Sequence, residues 1–207
     1  MKELDLDTSG RRFINRLDGA RELMEQWDNP RSMANRVPYS FRKSDYGNIN
    51  NTGGTGELPA SILPPLHPQF EQFVEAGVRD LVVVVARHHR LITYTSCEGH
   101  RYGEGGPPSS ERHVGVLSRS KAEYDAVERA FVSVGHQVNA LALTPHIHLG
   151  VLRQLLRDRE AELPTLDLYL AKNTTSSWDD YFASLGPTYA ATVERLKAFD
   201  PLGTPSV

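Results

Sequence analysis

The sequence predicts an α+β fold: a two-layer sandwich of helices packed on a mixed or antiparallel sheet, with a long irregular N-terminal arm. Three observations lead there. Helical and strand-like segments follow one another as helix, strand, strand, helix, two or three strands, helix, which is not strict βα alternation. Residues 29–67, with the Pro68 that ends them, hold nearly half of the prolines together with GNINNTGGTG and keep no sustained period. The chain's 207 residues suit a single domain, 1–207, large enough to bury a core without covalent staples.

Each element has its own reason. Phe13, Leu17, Ala20, Met24 and Trp27 recur at helical spacing, so 11–28 reads as an amphipathic helix stopped by Asn29-Pro30. The main core follows at 68–199. LVVVVA at 81–86 looks like a buried strand by its β-branched content. Phe70, Phe73, Val74, Gly77, Val78, Leu81, Val82 and Val85 nevertheless keep an unbroken i, i+3, i+4 pattern, which predicts a helix over 68–89. Its basic end, Arg87 to Arg90, suits the negative end of the helix dipole.

Residues 91–97 and 112–118 read as strands. Ser120 and Glu123 have capping-box spacing, and Tyr124, Val127, Phe131 and Val134 continue a helix expected to stop at Gly135. Strands are expected at 138–143, around 146–155 and at 164–171; VLRQLLRDREAE over 150–160 fits a helix equally. Ser177 and Asp180 cap a helix through Leu185, which Gly186-Pro187 is expected to break before a last helix carrying Tyr189, Val193 and Leu196.

Composition excludes several classes. A formal charge of −3 argues against a surface devoted to nucleic acid or membrane. One cysteine rules out an internal disulfide, and with no signal-peptide pattern at the start the expected setting is a reducing cytoplasm. The longest apolar run is far too short for a membrane span. Apolar helices that can be satisfied internally leave the oligomeric state open.

The chemistry concentrates in TYTSCEGHRYGEGGPPSSERHVGVL, residues 93–117. Cys97-x-x-His100 supplies a thiolate and an imidazole, both good zinc ligands. His146 and His148 could supply two more, since i and i+2 on a strand face one side while Ile147 turns to the core. Glu98 or Glu104 would then serve as general base toward a bound water. Without metal, Cys97 could act as a nucleophile whose thiolate is favoured by His100, His113 or the nearby Arg101 and Arg112. Arg101, Arg112 and the amides of Gly103, Gly105 and Gly106 form a candidate anion pocket. Against each stands a plainer reading: a thiol that packs as a small hydrophobe and histidines hydrogen-bonded at strand edges.

In the arm, Arg31, Arg36, Arg42 and Lys43 interleave with Tyr39, Phe41 and Tyr46, a pattern that can hold single-stranded nucleic acid. His67, His88, His89 and His136 read as surface residues, and Asp167, alternating with Leu166, Leu168 and Leu170, as meeting water. The residues TSCEGH at the end of an apolar strand resemble the Ser-Cys-x-Gly-Arg signature of the wybutosine-synthesising methyltransferases that act on tRNA. The resemblance covers six residues, has His100 where the signature has arginine, and implies a nucleotide-facing pocket at Ser96-Cys97.

The expected protein is therefore a small cytoplasmic enzyme acting on an anionic small molecule or nucleotide by metal-dependent hydrolysis, with zinc as cofactor. The competing class is a non-catalytic module that binds a ligand, RNA or protein through the same pocket or the 30–66 arm.

Overall fold

The computed structural model describes residues 15–16, 20–27, 42–44, 47–49, 65–68, 70–103, 109–158 and 161–199. Most of the expected 29–67 arm, including Arg31, Arg36, Tyr39, Phe41 and Tyr46, lies outside these residues. A short antiparallel pair, β2 (Arg42–Ser44) with β3 (Gly47–Ile49), is described within it. The α+β prediction holds.

Four antiparallel strands make the main sheet: β4 (Ile92–Cys97), β5 (Arg112–Leu117), β6 (Ile147–Asp158) and β7 (Ala161–Lys172). The short β1 (Asn15–Arg16) adds to β6 in parallel, giving the order β1-β6-β7-β5-β4. That pairing is why the first helix, α1 (Ala20–Gln26), does not begin at 11 as its apolar spacing predicts. The backbone at 15–16 is committed to Leu156 and Arg157 of β6 instead.

Register sorts the side chains onto two faces. Val114, Val116, Leu149, Val151, Leu166, Leu168 and Leu170 share the face covered by α3 (Lys121–Ala140) and α4 (Trp178–Lys197). All seven are buried, and they form one core with Phe131, Val134, Val138, Tyr181 and Leu196 from the two helices. The opposite face carries Cys97, His113 and Tyr169 in one row across β4, β5 and β7. Thr95, Gly115 and Asp167 form the next row.

Three expected boundaries are corrected. The 68–89 helix is present only in pieces: a 3-10 turn at Phe70–Phe73, then α2 (Arg79–Val83), which widens into a π-helical turn at Val84–His88. The helix begun at Ser120 does not stop at Gly135 but runs to Ala140, so no strand forms at 138–143. Val134, Gly135 and Val138 continue its buried stripe, and Ala142, at φ 48°, supplies the left-handed turn that ends it. From that helix Asn139 clamps β6, accepting from Leu149 N–H at 2.7 Å and donating to Leu149 C=O at 3.0 Å.

The third correction concerns Gly186-Pro187, which does not break α4. Proline costs a helix interior about 3 kcal/mol. Burial of Tyr181, Leu185, Thr188, Thr192, Val193 and Leu196 along one stripe more than offsets it. The predicted cap stands, with Ser177 and Asp180 forming a capping box. Residues 150–158 resolve to strand rather than helix.

No helix among the described residues is long and apolar enough to cross a membrane.

Candidate functional site

Strand β4 ends at Cys97, and the next three residues build the site. Gly99 takes φ +82°, a turn open to glycine, where a Cβ would approach Arg112 N and Ser110 O, each at 3.2 Å. Beyond it His100 and Ser110 exchange backbone hydrogen bonds at 3.1 and 2.9 Å, in the same antiparallel register as the Cys97–His113 pair. The Ser110 hydroxyl also lies 3.6 Å from the Cys97 thiol, which accepts from Gly99 N–H at 3.3 Å. Spacing and conformation together explain the CEGH sequence: three residues apart along one strand direction, the cysteine and histidine would face opposite sides, and the left-handed Gly99 interrupts the strand between them.

A third group arrives from the broken helix. Glu75, between the 3-10 turn and α2, accepts from Glu98 N–H at 2.7 Å and pairs with His100 Nε2 at 3.1 Å. Glu98 answers by accepting from Gly77 N–H at 2.7 Å. A Cβ on Gly77 would lie 2.8 Å from Arg112 Nη2 and 2.9 Å from Glu98, so this clasp also needs glycine. One ligand atom from each of Glu75, Cys97 and His100 lies within 4.8 Å of the others, and all three residues are half-buried. Burial raises the proton affinity of the Glu75 carboxyl, against the Glu98 N–H and the His100 ring, which favour its anion. Burial also raises the Cys97 thiol, against its bonds to Ser110 and Gly99, and the neighbouring Glu75 and Glu98 charges add to the rise. A thiol raised in this way is a poor nucleophile unaided.

The other expected site residues divide cleanly. His113 pairs directly with Cys97 across β4 and β5 and stacks on Tyr169 at 4.6 Å. Burial lowers its pKa and so favours the neutral ring, although the Glu111 carbonyl beside its Nδ1, at 3.2 Å, favours the cation. Arg112 is held within the fold. Its Nε donates to Glu98 C=O at 2.8 Å, its guanidinium lies over the Tyr189 ring at 4.7 Å, and its N–H donates to Tyr181 Oη at 2.7 Å. It is a positioning residue for the Glu98 backbone. Arg101 is exposed and ion-paired with Asp179 at 2.6 Å. Glu104, Gly105 and Gly106 lie outside the described residues; Gly103 is described, at the exposed mouth of that loop.

His146 and His148 are not brought to Cys97 and His100. They sit at the start of β6, with β5 and β7 between them and β4, about 14 Å away at the usual strand spacing. Their rings engage the 173–176 turn instead, His146 Nδ1 with Ser176 Oγ at 3.0 Å and His148 Nδ1 with Asn173 Oδ1 at 2.7 Å. Ile147 between them is buried as predicted.

Two residues went unnoticed in the sequence or were misread. Glu75 lies inside the predicted 68–89 helix, whose apolar period runs unbroken past it, so no local signal marks it. Asp167 does not meet water. It is 1% exposed, accepts from Tyr94 Oη and Gln154 Nε2, each at 2.7 Å, and burial raises its pKa to about 7. The expectation that His89 is a surface residue is likewise corrected: it is buried, with Nε2 2.7 Å from Leu196 C=O at the end of α4.

No family model matches the chain, and neither the curated proteins nor the solved structures compared with it give a significant match.

Proposed function

We propose that the protein is a metal-dependent enzyme that hydrolyses a small anionic substrate, with Glu75, Cys97 and His100 as the ligands of a zinc-class ion. The observation that carries this reading is the gathering of one oxygen, one sulfur and one nitrogen ligand atom within 4.8 Å. Around tetrahedral zinc such atoms stand about 3.5 Å apart, so modest inward rotations suffice. Two acids held toward their neutral forms beside one another are also groups whose anions a cation would favour.

Three protein ligands leave a fourth position for water, and a bound ion would supply a hydroxide near neutral pH. Glu98 is then the proton acceptor, fixed through its N–H by Glu75 and through its carbonyl by Arg112. The neutral His113 ring beside Cys97 would donate or accept a hydrogen bond to the substrate without adding charge. Exposed Arg101, at the rim, would attract the anion.

The test is metal content of untagged protein, followed by zinc titration and by turnover of bis(p-nitrophenyl) phosphate. About one ion per chain is expected, lost in Cys97→Ser and Glu75→Gln, with hydrolysis falling at least a hundredfold in Glu98→Gln while metal is retained. Wild-type protein that is metal-free and takes up no zinc at micromolar concentration overturns the proposal.

A further inference from the structure

We infer that the molecule has a second ligand site, at the opposite end of the β4–β5 hairpin, that takes an organic anion with a phosphate or carboxylate head and an apolar body. The site is a cavity of about 590 Å³, inside the range of small-molecule pockets. It lies where β4 begins and β5 ends. Along β4 that is about 17 Å from Cys97 at the usual rise per residue. It does not depend on the metal reading.

Three guanidinium groups line it: Arg87, Arg90 and Arg119. Arg87 is held by Pro65 C=O at 2.9 Å through Nε and by Glu71 through Nη1, which leaves Nη2 for a ligand. Arg119 pairs with Glu123 at 2.8 Å. Arg90 is different. It is exposed, no hydrogen bond or ion pair among the described residues engages its guanidinium, and its backbone sits at φ 56°. That left-handed conformation follows the C-cap His89, and Leu91 N–H closes the turn on Val85 C=O at 3.1 Å, so Arg90 ends the π-helical turn as Ala142 ends α3.

Charge and shape select the ligand. Glu71 and Glu123 already offset two of the arginines, so among the described residues the cavity has one uncompensated cation and suits one anionic group rather than a polyphosphate. Guanidinium matches phosphate and carboxylate alike. Pro65, Leu66 and Ala86 give the cavity an apolar wall, and Leu66 is 62% exposed. An apolar body would pack against that wall.

Titration calorimetry at low salt with phenyl phosphate, benzoate and inorganic phosphate tests the inference. Saturable binding of at least one organic anion is expected, tighter than that of inorganic phosphate. Which of the two binds identifies the head group. Arg90→Gly removes the guanidinium at a position that favours glycine, so its melting temperature should hold or rise while affinity falls about tenfold or more. Leu66→Ser should weaken the organic anions and leave inorganic phosphate unchanged. Cys97→Ser, whatever it does to the other end of the hairpin, should leave the anion affinity unchanged. No saturable binding up to about 10 mM, or binding indifferent to Arg90→Gly, overturns it. So does binding lost in Cys97→Ser and kept in Arg90→Gly, which would place the anion at the other end of the hairpin.

Discussion

Replacing Asp167 by asparagine should remove a pH dependence that this one carboxyl builds into the fold. Asp167 is buried beneath Tyr94 and Gln154, and both donors favour its anion, yet burial prevails and carries its pKa from the ordinary 3.8 to about 7. An acid whose folded pKa lies above its unfolded one binds more protons when folded. Stability is therefore lost as pH rises from the unfolded value toward the folded one, the reverse of a salt-bridged aspartate. With these two values the loss between pH 5 and pH 8 is about 2.5 kcal/mol. In urea that moves the midpoint by roughly 1 M. Histidines titrate in the same range, so the measured quantity is the difference in unfolding free energy between wild type and Asp167→Asn at pH 5, 6, 7 and 8. Asparagine keeps the acceptor for Tyr94, and Gln154 can turn its amide to meet the new NH2. The difference should shift in favour of the variant by about 2.5 kcal/mol across the series. Tyr94→Phe removes a donor to the anion and should steepen the wild-type loss. A difference that stays constant within about 0.5 kcal/mol from pH 5 to pH 8 refutes the argument.

Gly115→Ala should destabilise by about 1–3 kcal/mol in chemical denaturation, because the added Cβ would stand 2.5 Å from Asp167 Oδ1 and from Thr95 Cγ2, and 2.6 Å from Tyr94 Cε1. Asn139→Ala should cost about 2–3 kcal/mol by the same assay, since it strips partners from both backbone groups of fully buried Leu149. Ala142→Gly should gain about 0.5–1 kcal/mol, measured as a raised denaturation midpoint, because φ 48° is easy for glycine and strained for alanine.

The sheet was legible where one face decides the pattern. Leu166, Leu168 and Leu170 alternate cleanly, and the strands at 92–97 and 112–117 fall within a residue of their expected ends. Local patterns failed where distant pairing or burial outvoted them. VNALAL alternates like a strand, but its Val138 belongs to the helical stripe of Val127, Phe131 and Val134, and six residues could not display that. Gly186-Pro187 reads as a stop until the whole buried stripe of α4 is seen. Half the candidate site was readable for the same reason: Cys97 and His100 are three residues apart, whereas Glu75 is 22 residues from Cys97 and joins them through a fold no local window contains. Asp167 was placed on the correct face. What alternation could not show is that Tyr94 and Gln154 close over it.

The interruptions of the 68–89 helix tie these observations together. Its apolar period is continuous, and an uninterrupted helix would bury the same stripe. It is broken at 74–78, where Gly77 must turn its N–H toward Glu98 and Glu75 must reach the end of β4. At its other end it widens at Val84–His88 and closes through the left-handed Arg90, with Leu91 N–H on Val85 C=O. An apolar stripe alone would select the unbroken helix. The break at 74–78 is therefore better explained by the Glu75, Gly77 and Glu98 contacts at the end of β4 than by packing, and substitutions that regularise it should raise stability while weakening the cluster at Cys97.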